Sequence, residues 1–215
     1  GVDLQETSRG HRWQHGGRNS PTVYNAVFAV AQFWDGRAKD LEEQAGGPLV
    51  NLLEMDTTEA HVIEQLEGIP GYLPVFAAAF PGEGKPITFA NVRKAIAVFE
   101  ATLITPNAPF DAFLKGDEKA LDAGQAAGLA LFINKGCVAC HNGINVGAHM
   151  YAPFGVVERP GGDVLPIGDK GRFEVTKTAS DEYVFKAPSL RNVAITAPYF
   201  HTGKVWDLRQ AIAIM

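Results

Sequence analysis

The sequence predicts a mostly α-helical protein of two domains with long irregular loops. Three features carry this reading: helical periodicity in the first half, a capped apolar helix in the second, and a Gly- and Pro-rich stretch without periodicity after it. Phe89, Val92, Ile96, Phe99 and Leu103 recur at intervals of 3, 4, 3 and 4 residues, which sets five large apolar groups on one face of a helix over about Thr88 to Ile104. Pro106 and Pro109 stop it. A second helix starts from Asp122, an N-cap candidate with Gln125 three residues on, and carries Leu129, Leu131, Phe132 and Ile133 to Gly136. Shorter helices are expected at about Thr22 to Gln32, Asp40 to Ala45, Thr58 to Glu67 and Asp207 to Met215. Between Asn142 and Tyr183, as in GVVERPGGDVLPIGDKG, only ordered loops with at most a short strand pair are expected. The composition shift across Pro106 to Gly116 marks the boundary, giving domains 1–108 and 109–215.

With 215 residues, 46% apolar and 20% charged, the chain has room for one large domain or two small ones. A net charge of −5 offers no basic field to hold phosphates, which excludes nucleic acid as a partner. Apolar stretches such as Val75 to Phe80 are too short to span a bilayer, so a soluble protein with no membrane span is expected. The opening GVDLQETSRG has neither a basic start nor an apolar signal core. Met215 ends what reads as an unfinished helix, so the sequence reads as a fragment or a trimmed mature chain.

Both cysteines of the chain are spent in Cys137-Val138-Ala139-Cys140-His141. That spacing lets one turn present two thiols to the vinyl groups of a haem while the adjoining His141 serves as axial iron ligand. A redox dithiol needs no following histidine, a zinc site needs a second ligand pair, and a disulfide across two residues is strained. Covalent haem c is therefore the reading, in a cytochrome-c-like domain. If the iron is to pass electrons without binding small molecules it needs a sixth ligand, and Met55, Met150, Met215 and the other histidines are candidates. Met215 closes a short helix opened by Asp207 with Gln210 as capping partner, but spacing does not choose among them.

Four strings carry a further resemblance: RNSPTVYNAVF (Arg18 to Phe28), QFWDGRAKDLEEQAGGP (Gln32 to Pro48), GLALFINKGCVACHNG (Gly128 to Gly143) and FKAPSLRNVAITAPYFHTG (Phe185 to Gly203). In order, over nearly the whole chain, they resemble the bacterial dihaem cytochrome c peroxidases. The resemblance implies two cytochrome-c-like haem domains, an N-terminal one where peroxide reacts and a C-terminal one whose high-potential haem accepts electrons. CVACH is similar to the second attachment site, with His141 and Met215 as its axial pair. The family's first CxxCH would lie just upstream of Gly1, so the intact enzyme has two haems and this chain can attach one covalently.

The same resemblance implies roles for single residues. His11, in SRGHRWQHG, matches the histidine that caps the peroxidatic iron at rest, and Gly10, Gly16 and Gly17 would suit a segment that swings away. Glu54 matches the catalytic glutamate, which moves a proton between the peroxide oxygens, and Gln44 matches a neighbouring amide that orients peroxide. Trp34 matches the aromatic relay between the haems, and Asn19, Thr196 and Pro198 match the oxygen ligands of an interdomain calcium. The activity implied is reduction of hydrogen peroxide by electrons from a small periplasmic cytochrome c or cupredoxin, in the periplasm, by a homodimer. Two other readings remain: a non-catalytic c-type electron-transfer domain, and a related dihaem oxidase that matures a tryptophan-derived quinone and has a tyrosine where this chain has Met215.

Overall fold

The computed structural model describes residues 3–215. The chain is mostly helical: α1 (Leu41–Val50), α2 (Glu59–Glu67), α3 (Tyr72–Ala79), α4 (Phe89–Ala101), α5 (Pro109–Leu114), α6 (Ala123–Asn134), α7 (Phe173–Thr176) and α8 (Leu208–Ile214). Five of these begin where a short polar side chain takes a free backbone N–H of the first turn. Asp40 accepts from Glu43, Thr58 from His61, Thr88 from Asn91, Asp122 from Gln125 and Asp207 from Gln210. Two short strands, β1 (Tyr151–Pro153) and β2 (Val184–Lys186), pair antiparallel with Tyr151 opposite Lys186. Among the described residues no helix is long and apolar enough to cross a membrane.

Among the described residues, two clusters of buried apolar side chains are formed. Phe76, Ile87 and Val92 are buried together, with Leu49, Val62, Leu66 and Ile96 against them, and so join α1, α2, α3 and α4. Val164, Val205 and Ala211 form the second, under Phe154, Tyr199, Phe200 and Ile214. Gly46 lets α1 and α4 approach closely, since a Cβ there would stand 3.0 Å from the Arg93 Cδ. Arg93 in turn donates to the Glu42 carbonyl at 2.9 Å.

The segment expected to be helical over Thr22 to Gln32 holds only a 3-10 turn, Ala26–Phe28. Its backbone is committed elsewhere: Asn25 N–H donates to the Leu103 carbonyl at 2.8 Å, Val30 N–H to Ala148 at 2.8 Å and Gln32 N–H to Ala38 at 2.7 Å. A backbone donor spent on a distant partner is not available to a helical ladder. Helix α1 runs past Ala45 to Val50, and α3 forms from an apolar run without amphipathic spacing.

The same segment is tied to the second half through buried charge. Arg18 donates to Asp35 at 2.6 Å and, in a two-pronged bond, to Asp169 at 2.8 and 2.5 Å. Burial alone would push the Asp169 carboxyl up, but the bonds and charge of Arg18 outweigh it and hold the group below its ordinary value. Lys186, buried on β2, donates to the Ala31 carbonyl at 2.7 Å, and its burial lowers its pKa to about 8 against the pull of Asp35.

Candidate functional site

Helix α6 opens on a reciprocal cap between Asp122 and Gln125 and delivers the chain into the cysteine motif. Gly136 makes the exit at φ 83, a left-handed conformation that glycine adopts without strain, and Cys137–Ala139 follow as a 3-10 turn. Both thiols are free, Cys137 exposed and Cys140 half-buried. His141 closes the turn, its N–H donating to the Cys137 carbonyl at 3.0 Å. Its ring is buried, and Nδ1 lacks a hydrogen bond of good geometry while standing near the carbonyls of Pro188 and Val146. Gly147 leaves room for that arrangement: at φ 127, a Cβ would run into the Pro188 carbonyl and stand 3.1 Å from Nδ1. Burial lowers the pKa of His141 despite the two carbonyls, so the ring is neutral, the form that ligates a metal.

Along α6, which leads into the motif, lies a cleft of about 580 Å³ whose apolar lining includes Pro106, Phe110, Leu129, Phe132, Val146 and Leu190. Arg191 fixes one rim by donating to Asp111 at 2.7 and 3.2 Å and to the Ile144 carbonyl at 2.6 Å. Two accessible thiols, a neutral buried imidazole and an apolar cleft fit a covalently held haem. Met215 follows α8 directly and is exposed, while α8 packs through Ala211 and Ile214 onto the second cluster.

His11 and Glu54, distant in sequence, are brought together by main chain. The His11 N–H donates to the Glu54 carbonyl at 2.5 Å, and His11 Nε2 stands 3.4 Å from an Asp56 carboxylate oxygen. Gly10 is needed for close approach, since a Cβ there would collide with the backbone of Leu53 and Glu54; it packs the segment down, whereas Gly17 faces open space. Glu54 is half-buried, and its Oε1 accepts from Asn51 Nδ2 at 2.8 Å. Gln44 is half-buried on α1, two turns before Asn51 and so on the same side of that helix. Pro48, inside α1, has no N–H to give the Gln44 carbonyl.

Trp34 is held between the halves. Its Nε1 donates to the Asn19 carbonyl at 2.8 Å, its own carbonyl accepts from Lys186 N–H at 2.7 Å, and its ring meets His201 edge-on at 6.2 Å. His201 is 1% exposed, stacked on Phe185 at 4.1 Å, and burial pushes its pKa down to about 4. Asn19 N–H donates to the His201 carbonyl at 2.7 Å, which draws Asn19 to the segment holding Thr196 and the buried Pro198. Among the described residues no group of three or more His, Cys, Asp or Glu is placed to hold a metal ion, so a cation there would rely on amide and carbonyl oxygens. Nothing in the sequence singles out Arg18, Asn51, Asp56 or Lys186, and His201 stands there only among the histidines that could ligate the iron. Only Asn51 carries a local signal, an Asx residue just past a helix.

Residues 1–119 match the family model described as di-haem cytochrome c peroxidase. The cytochrome c551 peroxidase of Pseudomonas aeruginosa is 61% identical over 215 residues, covering 100% of this chain and 62% of that protein. The cytochrome c551 peroxidase of Nitrosomonas europaea is 44% identical, covering 100% of this chain and 63% of that protein. The chain thus spans about three fifths of the length of these curated relatives. Among solved structures, a MauG-like protein associated with microbial copper homeostasis superposes with a TM-score of 0.84 at 27% identity, over 98% of this chain and 65% of the other.

Proposed function

The chain belongs to the di-haem cytochrome c peroxidase family, and from that premise we propose that it is the larger part of an enzyme that reduces hydrogen peroxide to water. Its electrons come from a small periplasmic cytochrome c or cupredoxin, and its place is the periplasm, where covalent c-type haem is used. Cys137 and Cys140 would attach one haem c, and His141 and Met215 would be the residues that ligate its iron. His11 would be the residue that closes off the iron of the second haem at rest. The two separate apolar clusters support two domains, 1–108 and 109–215, with residues 18–38 stitched onto the second. A homodimer and a calcium ion held by oxygens of Asn19, Thr196 and Pro198 complete the reading.

Haem, when bound, would supply the stored electrons for peroxide reduction; the chain supplies proton handling and order. Glu54 takes a proton from one peroxide oxygen and returns it to the other, so that water leaves. Gln44 orients the peroxide through its amide. Trp34, locked by main chain at both ends, carries the electron between domains. The observation that carries this reading is that His11 lies on the carbonyl of Glu54, since one main-chain hydrogen bond ties the loop of the proposed cap to the loop of the proposed proton carrier.

A quinone-maturing oxidase is disfavoured by methionine rather than tyrosine at position 215. The test is stopped-flow mixing of the full-length, two-haem polypeptide, reduced by its donor, with hydrogen peroxide. The reading expects two donor electrons consumed per peroxide. Electron uptake without peroxide loss would leave only an electron carrier.

A further inference from the structure

Helix α1 ends at Asn51, whose extended backbone (φ −72, ψ 124) breaks the helix while its N–H still donates to the Gly47 carbonyl at 3.0 Å. The Asn51 carbonyl then accepts from the N–H groups of Glu54 and Asp56, each at 3.0 Å. The side chain is equally committed. Oδ1 accepts from the Leu53 N–H at 3.0 Å, which fixes the amide so that Nδ2 faces Glu54 and donates to its Oε1 at 2.8 Å. An amide whose oxygen is already held by an N–H has no choice of flip, and a donor aimed at a carboxylate makes a charge-assisted bond.

A carboxylate that ferries a proton needs one oxygen free and the group held still. Among the described residues the other oxygen, Oε2, accepts no protein hydrogen bond. We infer that Asn51 is a positioning residue for peroxide cleavage: it pins Oε1 of Glu54 and leaves Oε2 as the oxygen that takes and returns the proton. The inference rests on the reading of Glu54 as proton carrier. Asn51 neither gains nor loses a proton, and it touches no substrate. Its amide also links Glu54 to the turn that holds His11, because the same turn presents the Glu54 carbonyl to His11.

Two substitutions in the full-length two-haem enzyme separate orientation from simple turn-building. Asn51→Asp keeps an oxygen for the Leu53 N–H but has no donor for Glu54 when ionised. Asn51→Ser also caps the turn through its hydroxyl, adds no charge, and is too short to reach Oε1. Both should lower kcat for peroxide by roughly ten- to a hundred-fold, the size of effect that a small misplacement of a reacting group produces. KM for peroxide, haem spectra and melting temperature should stay near the parental values. On a Glu54→Gln background neither change should cost anything further. Parental kcat in both variants, or the same fold-loss on the Glu54→Gln background, would overturn the positioning role while leaving Glu54 as proton carrier. A Glu54→Gln enzyme as fast as the parent overturns both readings.

Discussion

The backbone N–H of Lys186 donates to the carbonyl of Trp34 at 2.7 Å, so the end of a strand in the second half grips the residue proposed to relay electrons from the first. With the Trp34 indole also donating to Asn19, the ring is fixed through main-chain groups at both ends. This junction carries buried charge on either side, Arg18 between Asp35 and Asp169, and Lys186 under Ala31.

The Arg18 clamp should be a major stabilising contact between the halves. Arg18→Met leaves the mostly buried Asp169 carboxylate without its cation and Asp35 with only the more exposed Arg37, a change expected to cost about 3 kcal/mol in chemical denaturation. Because the Asp169 carboxyl is held below its ordinary value of 3.8, its contribution is present above that pH and is lost as pH falls through the folded value. The parent should therefore lose its advantage over Arg18→Met in acid. An advantage that persists unchanged at low pH would show that the clamp is not what the substitution removes.

Lys186 should leave the opposite signature at alkaline pH. Its folded pKa of about 8 lies below the ordinary 10.5, so between these values the unfolded chain holds a proton that the folded one does not, and stability rises with pH. Below pH 8 the cost of the buried charge is present in full. Relative to Lys186→Met, the parent should gain up to about 3 kcal/mol between pH 8 and 10.5, the equivalent of the shift at 1.36 kcal/mol per unit. Paired unfolding curves across that range check this, and a difference that stays flat contradicts it.

What could be read from the sequence was what local residues decide. The 3-4-3-4 apolar spacing from Phe89 and the Asp122 cap placed α4 and α6 because both signals act within a turn or two. The cysteine-histidine motif is equally local. The 22–32 segment departs from its helical expectation because Leu103 and Ala148, far along the chain, take its backbone donors. Helix α3 gives no local signal because its apolar run is nearly unbroken and shows no face. The meeting of His11 with Glu54 and Asp56 joins two loops, and no spacing announces it; only the resemblance pointed to two of the three.

His11 should govern access to the peroxidatic iron. In the intact two-haem protein, His11→Gly should react with peroxide while both haems are ferric, without prior reduction. Rapid-mixing absorbance measurements decide the point. A variant that still needs prereduction would mean that another group closes the site.

Glu54 is the centre of the proposed chemistry, and its carboxylate is held in place by the Asn51 amide. A positioned acid–base group is worth roughly two to four powers of ten in rate. The most direct measurement is the steady-state peroxide turnover of Glu54→Gln in the full-length protein, beside its haem content and its rate of electron uptake from the donor. The account predicts both haems retained, electron uptake near the parental rate and turnover reduced by that factor. Turnover close to the parental rate in a protein with both haems bound would contradict it.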